Sequence, residues 1–123
     1  MIREEKRPAE DLTADLLLCN RCGKCRSVCP LYDVLREEWG GARGKVELAE
    51  EFFRGGEVTG KELSEVFDLC LQCMACEESC PSGMRAQEVV MAVRAAMARR
   101  GMIPWYRRLA LRLLKGMDPV LFR

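Results

Sequence analysis

Histidine is missing from all 123 residues. Its absence excludes a Rieske centre, a histidine-ligated haem, a Cys/His zinc finger and a histidine general base. No run approaches the 18 or more apolar residues of a membrane-spanning helix, so a membrane span is not expected. A Gly-x-Gly-x-x-Gly fingerprint and a phosphate loop are both lacking, as is any nucleic-acid-binding motif. The opening stretch, Met1 to Glu10, has charged residues but no apolar signal core, which points to a cytoplasmic protein. Neither sign of charge is in excess, with 20 Lys and Arg against 19 Asp and Glu.

What is abundant is cysteine. All eight fall in two stretches, Cys19-Asn20-Arg21-Cys22-Gly23-Lys24-Cys25-Arg26-Ser27-Val28-Cys29-Pro30 and Cys70-Leu71-Gln72-Cys73-Met74-Ala75-Cys76-Glu77-Glu78-Ser79-Cys80-Pro81. Both read C-x2-C-x2-C-x3-C-P, the run that wraps a cubane [4Fe-4S] cluster. Three thiolates at steps of three on a coiled loop each reach a different iron, while the fourth is carried away and ligates the other cluster of a pair. The expected sets are therefore Cys19, Cys22, Cys25 and Cys80 for the first cluster, and Cys70, Cys73, Cys76 and Cys29 for the second. Zinc sites usually show two C-x2-C pairs separated by a dozen residues, so a zinc-stabilised interaction module is a remote alternative.

The rest of the chain reads as helix. Asp11 to Leu18 has the apolar content for a short helix after a charged tail over residues 1–10. Pro30, with Cys29 in the cap position, opens a helix through Leu31, Val34 and Leu35, and Pro81 is expected to repeat that arrangement. Val46, Ala49, Glu50 and Phe53 share one side of a helix that Gly55-Gly56 ends. Thr59-Gly60-Lys61-Glu62 is a capping box, with Leu63, Val66 and Phe67 inward. Ala86, Val89, Val90, Val93 and Met97 form the stripe of a helix closed by Gly101. The fold class is all-α: an α-helical ferredoxin over residues 11–103 with two cysteine-rich loops. The methionines and Tyr32, Trp39 and Trp105 are read as packing residues.

Charge is divided along the chain. Residues 1–93 carry 12 Lys and Arg against 18 Asp and Glu, whereas residues 94–123 carry eight against the single Asp118. The basic amphipathic end, 104–123, is expected to form a helix from Trp105 to about Lys115 that docks a partner protein; a membrane surface is the weaker rival. Arg21, Lys24 and Arg26 in the first motif favour a higher potential for the first cluster.

Arg21-Cys22-Gly23-Lys24-Cys25, Cys29-Pro30-Leu31-Tyr32, Arg43-Gly44-Lys45, Cys70 to Glu77 and Cys80-Pro81-Ser82-Gly83 together resemble the α-helical ferredoxin domain of the small iron-sulfur subunits of heterodisulfide reductase. They equally resemble the N-terminal part of glycolate oxidase iron-sulfur subunits and of the corresponding iron-sulfur subunits of anaerobic glycerol-3-phosphate dehydrogenase. The resemblance covers about residues 12 to 100. It implies electron transfer between a flavoprotein and a cysteine-rich catalytic domain or a membrane quinone system. Larger relatives continue into domains with a Cys-Cys-Gly motif, absent from this sequence. That implies a stand-alone electron-transfer subunit, not an enzyme by itself, with a flavoprotein or a Cys-Cys-Gly protein as partner and membrane association only through partners. The alternative is the N-terminal ferredoxin domain of a glycolate, lactate or glycerol-3-phosphate dehydrogenase iron-sulfur subunit.

Overall fold

The computed structural model describes residues 16–115, with the side chain of Lys115 excepted. The charged tail, most of the helix expected from Asp11, and the last eight residues lie outside the described residues; Leu16 and Leu17 are helical. Six helices follow: α1 Pro30–Leu35, α2 Ala42–Phe53, α3 Gly60–Phe67, α4 Ala75–Glu78, α5 Ala86–Arg99 and α6 Trp105–Lys115. Two 3-10 turns, Lys24–Val28 and Glu38–Gly40, precede α1 and α2. No strand occurs among the described residues, in keeping with the all-α expectation.

Local chemistry sets these boundaries. Pro30 occupies the first turn of α1, with Cys29 extended at its cap (φ −88°, ψ 114°), where the missing proline N–H costs nothing. In α3 the capping box is complete: the Thr59 hydroxyl accepts from the Glu62 amide at 3.2 Å, and the Thr59 amide donates to Glu62 Oε2 at 2.8 Å. Helices α2 and α5 end alike. Gly56 N donates to Glu51 O, Gly55 N to Phe52 O, Met102 N to Met97 O and Gly101 N to Ala98 O, the paired bonds of a Schellman motif.

The core is made by α2, α3 and α5. Ala42, Val46, Ala49 and Phe52 meet Leu63, Val66 and Phe67 and the Val89, Val90, Val93, Ala96 and Met97 face of α5. Leu63, Phe67, Val89 and Val93 are wholly buried, and burying such side chains contributes about 1.5–3 kcal/mol each. On α2 the inward residue is Phe52, with Phe53 only partly buried, so the buried face is turned from the one expected. The helix begins at Ala42, four residues before Val46, and Ala42, Val46, Ala49 and Phe52 define its stripe.

One expectation fails. Pro81 does not open a helix; it enters a turn closed by Gly83 N donating to Cys80 O at 3.2 Å. Gly83 is left-handed (φ 68°), and that conformation interrupts a helix until Ala86.

Thr59→Ala removes the hydroxyl that accepts from the Glu62 amide and leaves the backbone half of the α3 capping box alone. The loaded protein is expected to lose about 1 kcal/mol of stability, read as a lower midpoint in chemical denaturation.

Candidate metal centre

The two cysteine loops are built alike in three dimensions. Arg21 and Gln72, at equivalent places before the second cysteine, both have left-handed backbones (φ 53° and 55°). So do Gly23 and Met74, just after it (φ 76° and 64°). Three of these four residues carry a side chain, and each left-handed residue with a Cβ costs about 1–2 kcal/mol. Alternations of this kind turn successive amides to one side and make an anion-binding concavity, as in many iron-sulfur sites. At Gly23 a Cβ would also lie 3.1 Å from Arg26 Nε and 3.3 Å from Arg43 Nη1.

The loops pack on each other: α4, which carries Cys76, lies against the 3-10 turn carrying Cys25. Five cysteines, Cys19, Cys25, Cys70, Cys76 and Cys80, also rest on the hydrophobic core, while Cys22 and Cys73 are exposed. None of the eight is in a disulfide. Cys29 leaves its own loop and lines one cavity with Cys70, Cys73 and Cys76, walled by Ala42, Val46, Ala86, Val89 and Val90. Cys80 has local hydrogen-bond partners, with its sulfur 3.3 Å from the Ser82 hydroxyl. No three acidic or cysteine side chains among the described residues converge on a single ion; cubane ligands ring the cluster, each on its own iron.

Electrostatics among the thiols are unfavourable without a metal. Burial pushes the Cys76 thiol up to about 11, and the neighbouring Cys25, Cys70, Cys29 and Cys73 push the same way. Cys25 is raised first by burial, partly offset by a hydrogen bond from the Arg43 amide. Burial raises Cys80 too, but the Ser82 hydroxyl and the amides of Met84, Ser82 and Gly83 outweigh it and leave the thiol below its usual range. A donor set of crowded thiols, dry walls and turned amides fits a multi-iron anionic cluster.

Side chains from the helices hold the loops, and the cysteine pattern gave no sign of them. Arg94 of α5 grips the entry to the second loop, donating to Phe67 O at 2.6 Å and Cys70 O at 3.0 Å. Arg43 of α2 donates to Arg21 O at 3.1 Å and to Glu38 at 2.6 Å. Glu38 also receives Arg26 at 2.6 Å, and these bonds, Arg43 first, hold its carboxyl below the usual range. Lys45, also on α2, is 3% exposed. Its Nζ donates to Trp39 O at 3.2 Å and to Gly40 O. Burial lowers the Lys45 ammonium, while Cys70, Cys29, Cys76 and Cys25 pull it back up. The available signal was positional: Lys45 interrupts an otherwise apolar stripe of Ala42, Val46 and Ala49.

Two matched cysteine loops on an all-α core define an iron-sulfur protein of the α-helical ferredoxin kind. The chain belongs to the 4Fe-4S dicluster domain family, whose model matches residues 15–84. It is 41% identical over 87 residues to the glycolate oxidase iron-sulfur subunit of Escherichia coli (strain K12), covering 69% of this chain and 21% of that protein. It is 33% identical over 81 residues to a probable glycolate oxidase iron-sulfur subunit of Bacillus subtilis (strain 168), covering 65% and 18%. An uncharacterized electron transport protein of Escherichia coli, YkgF, is 29% identical over 89 residues, covering 71% and 18%. The chain thus spans about a fifth of the length of these curated relatives. No solved structure matches it significantly.

The raised thiols give a pH dependence. A group protonated more readily in the folded state stabilises that state below its unfolded pKa and loses the contribution as pH rises through the folded one. For Cys76 that window runs from the ordinary 9.0 to about 11. The helical circular dichroism of the metal-free chain is expected to fall across it, while the loaded chain, whose thiolates are already ionised on iron, shows no such step.

Proposed function

We propose that the chain is a two-cluster electron relay within an oxidoreductase. Cys19, Cys22, Cys25 and Cys80 hold one [4Fe-4S] cluster, and Cys70, Cys73, Cys76 and Cys29 hold the other. When bound, such clusters supply one-electron transfer. The observation that carries the reading is the cavity shared by Cys29 with Cys70, Cys73 and Cys76, since Cys29 belongs by sequence to the opposite loop. The residues' part is to supply thiolates, exclude water on the Val89 and Val90 side and press the loops together so that an electron has a short path.

The complex favoured is of the glycolate oxidase type, because two of the matched relatives carry that name. A flavoprotein oxidises the substrate and this polypeptide takes electrons from it singly, passing them to a cysteine-rich acceptor. None of those names points to a heterodisulfide reductase, so that assignment of the complex is the second choice. Substrate chemistry belongs to other domains or chains.

Helix α6 extends this reading to a docking role for residues 104–123. Arg107 ties it to the body by bonding Asp68, but Trp105, Tyr106, Leu109, Leu113 and Leu114 stay exposed. Among the described residues no helix is long and apolar enough to cross a membrane. Deleting 104–123 is expected to abolish co-purification with the complex while visible cluster absorption persists; retained association sinks the docking role.

Single Cys→Ser changes test the ligand sets. Cys29→Ser is expected to perturb the same EPR signal as Cys73→Ser, and Cys80→Ser the same signal as Cys22→Ser, in a wild-type chain holding about eight irons. Pairing of Cys29 with Cys22 instead would mean that each loop binds its cluster alone.

A further inference from the structure

The motif Arg43-Gly44-Lys45 has an order in space that the cysteine chemistry leaves unexplained. Arg43 points toward the first loop, bonding Arg21 O and Glu38. Gly44 lets the Glu38–Gly40 turn lie directly on α2: a Cβ there would sit 2.7 Å from Glu38 C and 2.8 Å from Trp39 Cα. That close approach presents the Trp39 and Gly40 carbonyls to Lys45, one residue on. Gly40 O is also 3.6 Å from Cys29 Sγ, so one carbonyl oxygen joins the lysine to a cysteine. The cavity that Lys45 lines is the one holding Cys29, Cys70, Cys73 and Cys76.

A lysine this buried has few reasons to exist. Removing an ammonium from water costs several kcal/mol, and two carbonyls do not replace the hydration of a full charge. Among the described residues no carboxylate pairs with it: Glu47 and Glu50 of α2 pair with Arg21 and Arg54, and Glu38 pairs with Arg43 and Arg26. The anion that balances it is the one the cavity's thiolates build. The basic residues of the first motif are placed differently. Arg21 and Arg26 have side chains 60% and 39% exposed, each paired with glutamate, so water, salt and carboxylate weaken their field.

From this we infer that Lys45 is a potential-setting residue: its buried positive charge stabilises the reduced, more negative state at the Cys29, Cys70, Cys73 and Cys76 site and gives that site the higher reduction potential of the two. This rests on the ligand reading above. It reverses the order that a count of charges along the sequence favours, because burial, not number, decides how strongly a charge is felt.

The test is an anaerobic, EPR-monitored redox titration of the full chain carrying both clusters, with Lys45→Met, Lys45→Gln and Lys45→Arg. Cys73→Ser identifies the second-site signal. In the neutral variants the reduced-to-oxidised ratio at that site is expected to fall tenfold or more at fixed ambient potential, about 59 mV for a one-electron couple. The first site should move less, and Lys45→Arg should restore the wild-type value. Unchanged potentials in neutral variants that keep all their iron overturn the inference, as does a larger shift at the first site. Should the neutral variants lose half their iron, Lys45→Arg decides. Full iron and near-wild-type potentials there support a need for charge; loss of iron there too shows a purely structural anchor and overturns it. Failure of the ligand reading looks different: Cys29→Ser and Cys73→Ser would disturb different signals in the wild-type background, and the assignment of Lys45 to a site would fall with it.

Discussion

Eight thiols gathered into two touching loops repel one another once ionised, and burial penalises each charge further. Several features of the structure answer that constraint. Raised Cys25 and Cys76 show the cost in the metal-free chain. The left-handed residues at Arg21, Gly23, Gln72 and Met74 show one remedy, since such alternations turn successive amides to one side of a loop and favour an anion there. Arg43 and Arg94 direct their donors to loop carbonyls, so the loops are shaped by helices that carry none of the cysteines of either loop's first two steps. A small domain can tolerate such a site because the iron that fills it also supplies folding free energy.

Much of this was legible in the chain. The cysteine spacing gives the candidate ligands and their chemistry, since each step of three is a geometric requirement of one cube. Helices α3 and α5 were readable because Thr59 and Glu62 cap one and Gly101 closes the other, while their apolar stripes are uninterrupted. Helix α2 was read with its face turned because Phe52 and Phe53 are adjacent and either can lead inward. What chose Phe52 was the position of Ala42 and Val46 against α5, a long-range contact without a local signature. The helix expected after Pro81 was lost for a local reason that proline statistics do not carry, the left-handed Gly83.

Lys45 and Arg94 were harder. A charged residue in a helix is ordinarily solvated, and only its register against Ala42, Val46 and Ala49 distinguishes Lys45 from the many that are. Arg94 falls beside Val93 and shows no pattern at all; its role appears only when the end of α3 is placed over α5. Residues that position a site act across the fold, so their signal lies in register and packing more than in motif.

The cysteines also serve as the lid of the hydrophobic core. Cys19, Cys25, Cys70, Cys76 and Cys80 pack against the hydrophobic core, so residues proposed as iron ligands also help close the interior. A Cys→Ser change at any of these five positions therefore trades away apolar packing as well as a proposed ligand.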